Sequence, residues 1–193
     1  MGTLLMALPV LRLLPRGDNH TVMVLPGFMV GDESTTVLRG YLSSMGYTAI
    51  PWLLGRNTGG LEVMQARLRD RFEEACRRSN GPVSLIGQSL GGIYARELAR
   101  WAPDKVRQVI TLGSPFGVTH AGETQSAVRR VFEQQTGTTV AQMRDAIRAM
   151  EAQTTPPIPL TAIYSKGDGI VNWRVCREAV EDHQTQNIEV WGS

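Results

Sequence analysis

Six short runs of apolar and β-branched residues, separated by stretches of helical periodicity, constrain the fold class of this 193-residue chain more than any other feature. The runs are TVMVLP (Thr21 to Pro26), YTAIPWL (Tyr47 to Leu53), PVSLIGQ (Pro82 to Gln88), VRQVITLGS (Val106 to Ser114), IPLTAIYS (Ile158 to Ser165) and NIEVWGS (Asn187 to Ser193). Most are too apolar to carry a wet face, which predicts parallel strands covered on both sides. Between them Leu61, Met64, Leu68, Phe72, Ala75 and Cys76 recur at helical spacing, and Ile93, Leu98 and Trp101 do so before Pro103 ends the pattern. Strand and helix in alternation predict an α/β fold: a mostly parallel sheet of about six strands flanked by helices. The alternation breaks between Ala121 and Pro157, where ETQSAVRRVFEQQ and TVAQMRDAIRAME read as two helical pieces of a lid-like insertion. No repeat, low-complexity tract or linker marks a boundary, so residues 1–193 are expected to form a single domain.

Composition narrows the function classes. With 42% hydrophobic and 20% charged residues, the chain has the balance of a soluble globular protein with one sizeable core. A formal charge of +2 gives no footprint for nucleic acid, and Arg67, Arg69, Arg71, Arg77 and Arg78 read as a solvated helix face. Only Cys76 and Cys176 are present, one in a helical pattern and one in a loop, which argues against a disulfide framework and for a reducing, cytoplasmic compartment. No metal-ligand cluster or phosphate-binding glycine loop is visible, so neither metal nor cofactor is expected. The apolar start, MGTLLMALPVLRLLPRGD, is broken by Pro9, Arg12 and Pro15 and is too short to span a bilayer. It is expected to dock on the core, with a membrane-surface helix or an uncleaved signal as the alternatives; nothing indicates membrane contact.

The chemistry gathers around VSLIGQSLGG, where the most apolar run meets a helix. Gly87, Gln88, Ser89, Leu90 and Gly91 spell GxSxG in the strand–turn–helix setting of a nucleophile elbow. Such a turn strains the serine backbone and presents its hydroxyl above the sheet edge, and the flanking glycines let strand and helix pass closely. At the helix start the amide of Leu90 points outward, positioned to donate to an oxyanion. A second donor belongs in the loop after an earlier strand; VMVLPGF offers the amide of Phe28, with Gly27 permitting the sharp exit. An acid belongs at the end of a later strand, and Asp168, between Gly167 and Gly169, fits. A packing turn at Ser89, a plain Pro-Gly turn at Gly27 and a turn-capping role for Asp168 are the non-catalytic alternatives.

With VLPGF, GQSLGG, TLGSPFG and SKGDGIV in place, the chain resembles an α/β-hydrolase of the lipase and esterase type, over nearly all of Thr21 to Ser193. LPGF stands where many lipases have an HG dipeptide and is similar to bacterial hydrolases with a short α/β core. The resemblance implies hydrolysis of a small-molecule or lipid carboxylic ester through an acyl-enzyme, with Ser89 as nucleophile, Asp168 as acid, and Phe28 and Leu90 as oxyanion hole. It also implies a general-base histidine just after the last strand, where the sequence instead reads NIEVWGS and stops at Ser193. The expectation is therefore that the base lies beyond Ser193. Among the three histidines, His20 precedes the first strand and reads as a surface residue, while His120 precedes Asp168 and breaks the family order. His183 follows Asp168 but precedes the last strand, whose starting end lies about 17 Å from the elbow's edge at ~3.3 Å per residue, so it is the base only if a loop carries it back. Two further readings remain: a non-catalytic binding module on the same fold, and acyl transfer by the same residues. In the insertion, Val128, Val131, Phe132, Val140, Met143, Ile147 and Met150 either line an acyl pocket or pack as ordinary amphipathic helices.

Overall fold

The apolar runs form one parallel sheet in the computed structural model, which describes residues 15–59, 61–117, 156–179 and 181–191. Its strands are β1 (Thr21–Leu25), β2 (Thr48–Pro51), β3 (Val83–Gln88), β4 (Val106–Leu112), β5 (Leu160–Tyr164) and β6 (Thr185–Glu189). Among the described residues three α-helices lie between them: α1 (Thr36–Ser44), α2 (Leu61–Arg78) and α3 (Leu90–Trp101). The spatial order is β2-β1-β3-β4-β5-β6, and every neighbouring pair runs parallel. This is the predicted six-stranded α/β sheet. The lid-like insertion and the apolar start fall on 118–155 and 1–14, outside the described residues.

One face of the sheet carries most of the core. Met23, Leu25, Leu85 and Val109 pack there with Leu68 and Phe72 of α2 and with Ala95 and Leu98 of α3. On the opposite face Val22, Val24 and Ile86 meet Leu38 and Leu42 of α1, a helix the sequence reading had passed over. Its apolar stripe is short, and Gly40 and two serines dilute the pattern. The prediction of covered strands holds fully for β1, buried throughout, and for β3, buried up to Gln88. In β4 and β5 burial alternates, leaving Ile110, Leu112 and Ile163 half-buried.

Two local expectations need correction. The last strand begins at Thr185 and ends at Glu189, not over the whole of NIEVWGS. Asp182 caps its entry by accepting from the amides of Gln184 and Thr185 at 2.8 Å, and backbone pairing to β5 needs no apolar side chains at a sheet edge. Arg71 is buried rather than solvated: its Nε donates to the Trp52 carbonyl at 3.1 Å and its Nη2 to that of Pro51 at 2.9 Å. Those carbonyls lie where β2 leaves the sheet, and a long guanidinium satisfies them while its stem stays in the core. Arg67, Arg77 and Arg78 are exposed as expected. Cys176 sits in a short 3-10 turn, Trp173–Cys176, and burial, aided by the nearby Asp168 carboxylate, pushes its thiol up to about 12. Both cysteines are unbridged. Among the described residues no helix is long and apolar enough to cross a membrane.

Candidate active site

From β1 the chain turns outward to β2, and from β3 it turns the other way to β4. Loops leaving the carboxyl ends of β1 and β3 therefore diverge and open a crevice, the place where open α/β sheets hold ligands. The elbow serine and the glycine loop expected to face it sit on these two adjacent strands. Ser89 links β3 to α3 with φ 49° and ψ −120°, a backbone conformation that non-glycine residues rarely hold. Its amide donates to the Leu112 carbonyl at 2.8 Å, which fixes the turn to the end of β4. Strand and helix cross so tightly that a Cβ on Gly87 would lie 2.3 Å from the Gly91 carbonyl oxygen. Glycine is needed there for space.

Leu90 opens α3, and the Gly92 amide closes the first turn onto the Ser89 carbonyl at 3.0 Å. The helix N-terminus thus points its positive end at the serine. Across the crevice a Cβ on Gly27 would lie 3.5 Å from both the Ser89 Cβ and the Gln88 carbonyl oxygen. Loop and elbow therefore lie side by side, with Phe28, half-buried against the main core, as the next residue. Sequence reasoning missed what holds this loop: Asn57, fully buried, bonds to it from the segment after β2. A lone asparagine in a glycine-rich stretch gives no periodic signal. It also missed Ser114, buried beneath the elbow with its Oγ 3.4 Å from the Gly87 carbonyl.

Asp168 lies past β5 in the turn the sequence indicated. Its Oδ1 accepts from the amides of Ile170 at 2.8 Å and Val171 at 3.2 Å. Its Oδ2 is directed to the end of β4, 3.3 Å from where a Cβ on Gly113 would stand. Since Leu112 holds the Ser89 amide and Gly113 abuts the Asp168 carboxylate, the end of β4 brings serine and acid to the same sheet edge. The acid's segment is tied down further on, where Glu178 forms an ion pair with buried Arg96 of α3 and the Gly117 amide donates to the Val175 carbonyl at 2.9 Å.

The two described histidines lie at the other end of the sheet. His183 stands two residues before Thr185, and Thr185 is in register with Leu160, the first residue of β5. His20 immediately precedes β1, and it is not the surface residue the sequence suggested. It is partly buried, with Nδ1 against the Asp18 carboxylate and Nε2 2.8 Å from the buried Ser84 hydroxyl near the start of β3. The polar Ser84 inside an apolar strand requires a partner, and His20 provides one. His120 lies outside the described residues. Among the described residues no group of three or more His, Cys, Asp or Glu side chains is placed to hold a metal ion.

The sequence matches no family model and no curated protein. Solved structures share the fold. A monoacylglycerol lipase from Paleococcus ferrophilus aligns over 92% of this chain and 86% of its own, with a TM-score of 0.66 at 15% identity. The metagenome-derived lipolytic enzymes LipS and LipT are represented at TM-score 0.64 and 14% identity, over 91% of this chain and 84% of theirs. An α/β-hydrolase enzyme, MGS-MChE2, from the metagenome of sediments of the Mar Chica lagoon in Morocco, aligns at TM-score 0.60 and 20% identity, over 91% and 83%. The chain therefore has the α/β-hydrolase fold, shared with lipases and esterases at low sequence identity.

Proposed function

We propose that the protein is a serine hydrolase acting on carboxylic esters of small molecules or lipids, with residues 1–193 as one domain and 121–157 as its lid-like insertion. Ser89 is the nucleophile, Asp168 the orienting acid, and the amides of Leu90 and Phe28 the oxyanion hole. A base takes the Ser89 proton as its Oγ attacks the ester carbonyl, the alkoxide leaves with that proton as alcohol, and water resolves the acyl-enzyme by the reverse proton path. The observation that carries this reading is the strained backbone of Ser89 at the carboxyl end of β3, with Gly27 so placed that a Cβ there would meet the Ser89 side chain. Strain of about 1–3 kcal/mol at a non-glycine residue persists where surrounding structure enforces it, and such residues cluster at functional sites. The general base is a histidine other than His20 and His183, which both lie at the far end of the sheet from Ser89. Two unbridged cysteines agree with a cytoplasmic location, and no cofactor enters the reaction.

A binding module that keeps the fold without the chemistry is the second reading, favoured by one observation: both described histidines lie at the far end of the sheet from Ser89. Acyl transfer to an acceptor other than water uses the same residues and differs only in what resolves the acyl-enzyme. The test is labelling of the full-length natural protein by a fluorophosphonate probe, alongside turnover of p-nitrophenyl esters of graded acyl length. Labelling lost in Ser89→Ala, with ester turnover lost in parallel, supports the hydrolase. Full-length protein that neither labels nor turns over any ester belongs to the binding module.

A further inference from the structure

We infer that Asn57 is a positioning residue for the oxyanion hole, an assignment that rests on the ester-hydrolase reading above. Asn57 has no exposed surface and lies in the segment after β2, beside the loop after β1. Its Nδ2 donates to the Pro26 carbonyl at 2.9 Å, its own carbonyl accepts from the Met29 amide at 2.7 Å, and its amide donates to the Val30 carbonyl at 2.9 Å. These three bonds bracket Gly27 and Phe28 from both sides. Met29 takes φ 64°, so the loop bends through an uncommon conformation directly after Phe28. The direction of the Phe28 amide is therefore set by a clamp on the residues before and after it.

The clamp is itself anchored. The Asn57 Oδ1 accepts from the Gly59 amide at 3.3 Å, orienting the side-chain amide so that Nδ2 faces Pro26. Trp52, fully buried, donates from Nε1 to the Gly55 carbonyl at 2.9 Å. Asp32 accepts from the amides of Trp52 at 3.0 Å and Leu53 at 3.1 Å, and Arg71 holds the carbonyls of Pro51 and Trp52. A continuous hydrogen-bonded frame thus runs from α2 through the loop after β2 to the loop after β1. An oxyanion donor works only when it is aimed before the reaction at the position the developing charge will occupy. Asn57 never reaches the substrate in this arrangement; it acts through the backbone of Pro26 and Met29.

The experiment compares wild-type full-length protein with Ser89→Ala, Asn57→Asp and Asn57→Ser. Ser89→Ala tests the hydrolase reading alone: undiminished ester turnover in that variant removes the reading whatever Asn57 does. Asn57→Asp keeps size and Oδ1 but loses the donor to Pro26, and Asn57→Ser is too short to reach it. Turnover is expressed per active site titrated by the burst of p-nitrophenol, so unfolded molecules do not count. The expected result, with Ser89 essential, is a fall in kcat of about 10²-fold with KM within about threefold, the signature of misplaced transition-state contacts. Affinity for an alkyl boronate, whose tetrahedral adduct on the serine places an oxygen in the oxyanion position, falls in proportion to kcat. A kcat per titrated site within threefold of wild type in either variant overturns the assignment, as does a loss carried by KM with boronate affinity unchanged.

Discussion

Gly91 in the first turn of α3 and Leu25 at the end of β1 approach so closely that a Cβ on Gly91 would lie 2.4 Å from the Leu25 carbonyl oxygen and 2.7 Å from that of Pro26. Both neighbours are backbone, and Pro26 is bonded to Asn57, so neither yields cheaply. Gly91→Ala is expected to destabilise the fold by about 1–3 kcal/mol through overpacking, read as a lower urea midpoint. Because the displaced carbonyls precede Gly27, kcat falls in the same variant at temperatures where it is fully folded. Unchanged stability would mean that α3 and β1 are not locked at this contact.

The Ser89 backbone carries a second test. At φ 49° and ψ −120° a side chain is strained, and glycine is not. Ser89→Gly is expected to be about 1 kcal/mol more stable than Ser89→Ala, since both lack the hydroxyl and differ in the Cβ that opposes this conformation. Both are expected to lose ester turnover by about 10⁶-fold. Equal stabilities would show that the elbow relaxes when the serine is removed.

Asp168→Asn separates turn from catalysis. An asparagine retains an Oδ1 that accepts from Ile170 and Val171, so the turn survives, while the charge directed to the end of β4 is lost. Thermal unfolding within a few degrees of wild type together with a kcat lower by about 10³- to 10⁴-fold is the expected outcome. Wild-type turnover in the folded variant would leave Asp168 as a turn residue only.

Much of this arrangement is legible in sequence. Strand existence follows from apolar density, so five of the six strands fall within their runs, and the elbow is visible because strand, glycines and helix each leave a local signature. The edge strand is displaced because its pairing is made by backbone, with Thr185, Gln186 and Asn187 in the ladder. Arg71, Asn57 and His20 are misread or missed for one shared reason. Each satisfies backbone or hydroxyl groups distant in sequence, and a buried polar residue is distinguished from a surface one only by those partners.

Acid should act through Asp18, which His20, and after it Arg107 at 2.7 Å, hold well below the usual carboxylate range. A folded pKa below the unfolded one contributes stability that is present above the unfolded value of about 4 and lost as pH falls toward the folded one. Wild-type stability is therefore expected to drop more steeply below about pH 4 than that of Asp18→Asn, and the difference to shrink in high salt because Asp18 is exposed. Parallel pH curves for the two proteins would show that these contacts do not persist in solution.

His183 and His20 give the decisive test of where the general base lies. A base must come within about 3 Å of the serine hydroxyl, whereas β6 alone spans about 17 Å at ~3.3 Å per residue between His183 and the catalytic edge. His20 sits at that same far end, held by Asp18 and Ser84. In the full-length protein His183→Ala is expected to leave kcat/KM within about twofold of wild type, as befits an exposed residue remote from the site. His20→Ala is expected to keep kcat as well but to lower stability by about 1–2 kcal/mol, because the buried Ser84 hydroxyl loses a partner. Parallel measurement of His120→Ala, and of any histidine that follows Ser193, then locates the base as the substitution that removes turnover without unfolding the protein. A hundredfold loss in His183→Ala would instead require β6 to leave its parallel register with β5, and would overturn the assignment of the base to residues other than His183.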